Sequence, residues 1–430
     1  ARCASYKCPG RSLPNHRMSL EPNDRAIAGF AMTGHALVHW FETSIPIFLV
    51  AWLAEFDVGV SVLGIAVALG YAPFGLGALP GGILADRYGP KRLIVLCLAG
   101  MGAAFLALSL ADSVYAVAIA LFLWGVAASV YHPSGLSLIS TGVQARGTVF
   151  AYHGIAGNVG IALGPFVAAT LLIFYDWPLV AAVLAVPGLL AAAYGLTADF
   201  DPVAAADLGD DSREAPASLP ELLASSRALF ASAFALVFAI VTFEGLFYRG
   251  VLSYLPEILQ GLPALVGFDP GLGLAGIEPG DYIYVGLLVV GMAGQYAGGK
   301  ATDRLPSATG IVGVFVVLAV LALAFVPVSS LGFGPLVLIC GLIGFFLFAI
   351  QPFYQNAVAV YTPADGRGLS YGFTYLGEFG FGAASIAVGG FLLDDFGVGV
   401  FFAALTGFAL VGAGLGALLW LRHRETPRAG

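Results

Sequence analysis

Long apolar runs alternate with short polar punctuation along nearly the whole chain. Runs near 20 residues, bounded by charge, proline or glycine, match the length a helix needs to cross a hydrocarbon layer of about 30 Å. The pattern predicts twelve helices, at approximately 26–54, 60–85, 92–111, 114–140, 146–174, 177–197, 226–255, 282–300, 309–328, 335–360, 368–393 and 397–421. Ala198–Glu221, between the sixth and seventh, is acidic and rich in Pro and Ala, the composition of a linker. The expected fold class is an all-α membrane protein with twelve transmembrane helices in two six-helix halves. These are residues 26–197 and 226–421, joined by an acidic linker at 198–225 and flanked by an N-terminal segment 1–25 and a tail 422–430.

The halves repeat each other. Gly81–Arg92 reads GGILADRYGPKR and Gly298–Gly310 reads GGKATDRLPSATG, two charged turns built on paired glycines. Arg146-Gly147 matches Arg367-Gly368, Pro46 matches Pro256, and His132-Pro133 matches Gln351-Pro352. Pseudo-symmetric halves around a linker are the plan of a transporter whose site lies between the repeats.

Composition agrees: 59% hydrophobic, 10% charged, mean hydropathy +0.91. Soluble domains carry about 25% charged residues, and membrane barrels show short alternating segments instead. Lys and Arg lie at Arg17, Arg25, Arg87, Lys91, Arg92, Arg146, Arg213, Arg227, Lys300, Arg304, Arg367, Arg422, Arg424 and Arg428, all on one side of a twelve-helix topology. The opposite loops carry only acids, among them Glu55, Asp57, Asp112, Asp176, Asp269, Glu278, Asp281, Asp394 and Asp395. The positive-inside rule puts both termini and the linker in the cytoplasm of a multi-pass protein of the cell membrane. Ala1–Arg17 has no apolar core and reads as an extension ahead of a natural start at Met18. Cys3, Cys8, Cys97 and Cys340 are too scattered for a disulfide framework. Scarce lysine with plentiful Asp and Arg suits a high-salt organism and equally a GC-rich genome.

Polar groups inside apolar helices need a partner, a cavity or water. His35, His39 and Glu42 share one face of helix one. They read either as a proton relay or as a hydrogen-bonded cluster locking the helix to its neighbours. No third ligand accompanies the His-x3-His pair, so no metal site is expected. Arg249 breaks the charge pattern and either snorkels outward or faces the centre to meet an anion or an acid of the other half. Glu244 lies deeper on the same helix and Glu378 is a second candidate proton site. His132, before a helix-breaking proline, suits a binding position or a simple kink. His153, Asn158 and Gln351, with Gln355 and Asn356, complete the polar set, and Gln295 reads as a packing group. Gly154, Gly157, Gly160 and Gly164 recur at the spacing that lets helices approach closely. No phosphate loop, nucleophile elbow or nucleic-acid motif occurs, so no enzyme, cofactor or nucleic-acid partner is expected.

Gly82, Asp86, Arg87, Gly89, Lys91 and Arg92 fall on the helix 2–3 loop signature of the major facilitator superfamily, departing at Pro90. Gly160-Ile-Ala-Leu-Gly164-Pro165 is similar to its fifth-helix glycine–proline signature. GHALVHWFETSIPIFL, YHPSGLSLIS and ARGTVFAYHGIAGNVGIALGP resemble the fosmidomycin-resistance-like branch. The resemblance implies a monomeric secondary transporter working by alternating access, with proton-coupled export of a small organic solute as the leading reading. Helix four, FLWGVAASVYHP, departs from the familiar drug–proton antiporters in having no intramembrane arginine. Uptake of an organic anion anchored by Arg249 is the alternative, and a non-transporting receptor on the same fold the second alternative. The resemblance also implies a cytoplasmic gate, with Asp86 accepting from the start of helix eleven near Gly368, Arg87 and Lys91 pairing with nearby acids, and Asp303 and Arg304 acting likewise against helix five. Asp86→Asn is expected to lower vesicle transport while leaving membrane insertion intact, and full transport by that variant would remove the gate reading.

Overall fold

A computed structural model describes residues 20–205, 219–265, 278–362 and 367–424. The extension Ala1–Arg17, Met18, the linker core 206–218, Asp269 and the tail beyond Arg424 lie outside the described residues, as does the side chain of Asp86.

The described chain is helical throughout. The first half comprises α1 (Pro22–Phe56), α2 (Val60–Leu76), α3 (Ala78–Tyr88), α4 (Pro90–Leu108), α5 (Val114–Ala128), α6 (Tyr131–Gly142), α7 (Arg146–Leu172) and α8 (Trp177–Thr197). The second comprises α9 (Leu219–Phe230), α10 (Phe234–Gln260), α11 (Pro279–Thr302), α12 (Ser307–Ser329), α13 (Phe333–Tyr361), α14 (Arg367–Tyr375), a π-helical stretch Leu376–Phe381, and α15 (Ala384–Arg424). Among the described residues nine helices are long and apolar enough to cross a membrane, ten if α2 and α3, bent by 42°, make one crossing. The longest, Leu369–Arg422, contains Gly397 at φ 80°, ψ 178°, a backbone turn open to glycine that separates the expected helices eleven and twelve.

Three expected helices are irregular within their length. The segment expected at 60–85 divides at Gly77, four residues after Pro73. The segment expected at 114–140 is one span, Val114–Gly142, whose hydrogen bonding is interrupted at Ser129–Val130 while both residues keep helical dihedrals, because the ring of Pro133 lacks an N–H and crowds the carbonyl four residues back. The eleventh passes through a π stretch, a form concentrated at functional positions. The expected linker is shorter than its composition suggests. Its end forms α9 from Leu219, and its start is pinned to the first half, where Thr141 Oγ1 donates to the Pro202 carbonyl at 2.7 Å and Arg146 to the Ala205 carbonyl at 3.0 Å.

Within each half the packing repeats: α1 lies on α7 as α10 lies on α15 and the π stretch, and α2 lies on α5 as α11 lies on α13. Between halves, α1 meets α10, α2 meets α15 and the π stretch, α7 meets α11, and α3 meets α14. At the end opposite Gly81–Arg92, the Asp394 carboxylate accepts from the Val60 and Ser61 N–H groups at 2.9 and 2.7 Å. A carboxylate from one half thus occupies the N-terminus of a helix of the other, where unpaired donors and the helix dipole favour an anion.

The α1–α7 contact depends on missing side chains. A Cβ on Gly160 would stand 2.8 Å from the Ala36 Cα, and one on Gly164 2.8 Å from the Trp40 Cα, whereas Gly154 faces nothing within 4 Å. Gly164→Leu is therefore expected to cost at least about 1–3 kcal/mol by overpacking, visible as a lower melting temperature in detergent. Gly154→Leu is the matched substitution expected to leave it unchanged.

Candidate functional site

The centre of the bundle is organised by α1. Four- and three-residue spacing presents His35, His39 and Glu42 on one stripe of that helix. Glu42 is 1% and Arg249 2% exposed, and they meet as an ion pair between the two halves. The other Glu42 oxygen lies 2.5 Å from His39 Nδ1. The open question about Arg249 is answered by geometry: it points inward. Aromatic faces surround its guanidinium, with Phe379 at 4.4 Å, Tyr71 at 4.7 Å and Tyr248 at 5.2 Å. A desolvated cation over such rings gains quadrupole attraction as well as its carboxylate. Tyr71 donates to the Glu42 carbonyl at 2.5 Å, which fixes α2 against α1 beneath the pair. Arg249 meets Glu42 through a terminal guanidinium nitrogen, and its Nε has no hydrogen-bond partner among the described residues.

Behind Glu42 the imidazoles gather. His39 Nε2 is 3.2 Å from His35 Nε2, and His35 Nδ1 is 2.7 Å from the His153 carbonyl. The His35 and His153 rings stack at 3.8 Å. His132 joins them, its ring centroid 5.4 Å from His35 and 5.5 Å from His39. His132 stands in the first turn of α6, and Tyr375 of the other half covers it at 4.6 Å. Tyr131 donates to the Ala31 carbonyl and lies 3.2 Å from His153 Nε2.

A second polar group lies across the centre in the C-terminal half. Tyr354 donates to Glu378 Oε2 at 2.9 Å, and Glu244 is an electrostatic neighbour of Glu378. Gly245 permits this proximity, since a Cβ there would lie 2.7 Å from the Glu378 Cα. Both Glu244 carboxylate oxygens are buried without a hydrogen-bond partner among the described residues.

Other expected residues fall elsewhere. Asn158 is half-buried on α7 and joins none of these contacts. Gln351 accepts from Gln295 at 3.3 Å, an α13–α11 contact separate from the ion pair. At the charged turns, Gly82 packs near Pro133, and Gly89, at φ 86°, ends α3. Arg87 lies over the Tyr88 ring at 5.4 Å, while Arg92, Asp303 and Arg304 are exposed. Lys91 departs from its expected acidic partner: it donates to the Ala198 carbonyl at 2.5 Å and lies over Phe200. Ala198 ends α8, and an unpaired helix-terminal carbonyl attracts a cation. Tyr71, Tyr248, Tyr354 and Phe379 carry no sequence signal inside apolar runs, and Asp394 reads from sequence only as one more acid of the outer loops.

Comparison with known proteins extends the picture. A family model described as Major Facilitator Superfamily matches residues 31–385. The Na(+), Li(+), K(+)/H(+) antiporter of Planococcus maritimus is 29% identical over 150 residues, 33% of this chain and 35% of that protein. The match thus spans about a third of that curated relative. Among solved structures, a bacterial homologue of the human lysosomal transporter Spinster, inward-facing and occupied, aligns with TM-score 0.71 at 15% identity over 95% of this chain and 100% of that one. The nucleoside transporter NupG aligns with TM-score 0.71 at 16% identity, over 93% of this chain and 99% of that one. At such identities these structures speak to the fold alone, and the family model speaks to the superfamily, without reaching the fosmidomycin-resistance-like branch.

Removing one partner of a buried ion pair strands the other, at a cost of about 3–5 kcal/mol. Glu42→Gln and Arg249→Met are each expected to lower stability in detergent by that order. The double variant is expected to lose clearly less than the sum of the two, and additive losses in thermal unfolding would mean the groups do not interact.

Proposed function

We propose a function from one premise, that the chain belongs to the major facilitator superfamily: it moves a small organic solute out of the cell by alternating access, driven by protons. As a member of that family it is a multi-pass membrane transporter and not an enzyme. The observation that carries the mechanism is the Glu42–Arg249 ion pair, buried and shared between the halves. Alternating access moves one half against the other around a central site, so this pair is the contact that solute entry has to loosen. Asp394 on the α2 N-terminus closes the outer end. Gly82, Asp86, Arg87, Gly89, Lys91 and Arg92, with Asp303 and Arg304, form the cytoplasmic gate. Both termini face the cytoplasm, and the carrier works as a monomer in the cytoplasmic membrane.

Proton coupling rests on Glu244 and Glu378. Two neighbouring carboxylates in a dry interior repel when both are ionised. Arg249 is the cation near both, and it is already engaged by Glu42. Tyr354 supplies one donor to Glu378, and Tyr375 and Glu42 are its other titratable neighbours. The pair is thus suited to taking up and releasing a proton as Arg249 moves. The curated relative's name, a cation/H(+) antiporter, supports the same driver, and the resemblance to the fosmidomycin-resistance-like branch supports the outward direction.

A second reading, uptake of an organic anion, is favoured by one observation. Arg249 Nε has no hydrogen-bond partner among the described residues, which leaves a donor for an anionic group. A receptor without transport would bind solute but give no flux. Reconstituted vesicles with radiolabelled solutes, with and without an imposed pH gradient, separate all three. Glu244→Gln and Glu378→Gln keep the shape and remove the proton site. Each is expected to lower gradient-driven flux at least tenfold while solute exchange without a gradient persists. Unchanged gradient-driven flux in both would refute this coupling site.

A further inference from the structure

The imidazole cluster holds one contact that two neutral rings cannot satisfy, so a further proton or a metal ion has to lie there. Glu42, in ion contact with Arg249, is an acceptor toward His39, so the proton of their 2.5 Å contact sits on His39 Nδ1. The His153 carbonyl can only accept, so His35 Nδ1 also carries its proton. In neutral rings both Nε2 atoms are then lone-pair acceptors, yet they face each other at 3.2 Å in a buried space. Two acceptors that close repel unless a cation lies between them. Two nitrogens bound to one tetrahedral zinc ion at 2.0–2.1 Å stand roughly 3.3–3.4 Å apart. The observed spacing is near that edge.

His132 adds a third donor atom. The ligand atoms of His35, His39 and His132 all lie within 4.8 Å of one another, and His132 approaches from another helix with its ring perpendicular to that of His35. A proton shared by His35 and His39 would leave this third imidazole without a role. The outer partners also have the form of a metal centre, since bound histidines hold their far N–H on a carboxylate or backbone carbonyl. His39 does so on Glu42, and His35 on the His153 carbonyl. Tyr131 gives its proton to the Ala31 carbonyl, so the 3.2 Å contact with His153 makes that ring's Nε2 the donor and leaves His153 outside the set.

We propose that His35, His39 and His132 bind one divalent transition-metal ion of the zinc class, with water or a passing ligand in the fourth position. Imidazole donors of this kind select zinc, copper, nickel or cobalt over alkali, magnesium or calcium ions, which prefer oxygen. The site joins α1 to α6, so a bound ion would brace the first half beside the Glu42–Arg249 contact.

The test uses the full chain, purified in detergent with its affinity tag removed and stripped of metal. Titration with Co2+ and Zn2+ is expected to show one ion per chain, the visible absorption of tetrahedral Co2+, and displacement of Co2+ by Zn2+. His35→Ala and His132→Ala are each expected to weaken binding at least tenfold. Monodisperse elution confirms each fold, and the second variant decides if the first fails to fold. Absence of stoichiometric binding, as a proton-bridged pair would give, overturns the proposal, and so does binding unaltered by His132→Ala.

Discussion

A guanidinium buried at the middle of a membrane protein has to meet a carboxylate, and the centre of this molecule follows from that constraint. Arg249 comes from α10 and Glu42 from α1, so neutralising one charge with the other ties the two halves together. The second Glu42 oxygen positions His39, and His39 in turn meets His35. Aromatic faces from α2, α10 and the π stretch enclose the cation. Such a pair contributes little net stability after desolvation, yet breaking it leaves a stranded charge. That asymmetry suits a contact that holds one arrangement firmly and yields only when a solute or proton supplies replacement interactions.

The ion pair is possible because backbones approach closely on either side of it. Gly160 and Gly164 bring α7 against α1, and Gly245 brings α10 against the π-helical stretch that bears Glu378. His132 reaches the same centre from α6, its ring 5.5 Å from that of His39. Irregular backbone at membrane depth is tolerated where protein surrounds it, and here it coincides with the polar centre.

Much of this was legible in the sequence. Charge-bounded apolar runs identified the crossings, paired motifs identified the repeat, and three- and four-residue spacing put His35, His39 and Glu42 on one face. What spacing within one helix leaves open is what faces it from another. Arg249 could be placed at a depth but not in a direction, and its partner depended on the rotation of α10 about its own axis. His132 is visible beside a proline, but the rings it meets, His35 and His39, lie on another helix. Tyr71 and Phe379 carry no signal because aromatic residues are ordinary in apolar runs. Gln351, the repeat counterpart of His132, pairs with Gln295 instead of the centre, so this repeated position does not carry the same contacts in the two halves.

On this basis the Glu42–Arg249 contact sets how the halves sit against each other. Spin labels at Tyr88 and Leu305, both exposed and on opposite halves at the end with the charged turns, report that arrangement by pulsed electron paramagnetic resonance. With Arg249 intact, one dominant distance is expected. Replacing Arg249 by Met should shift or broaden the distribution toward a second separation, in the absence of any solute. Identical distributions in the two proteins would mean that the ion pair does not set the arrangement of the halves.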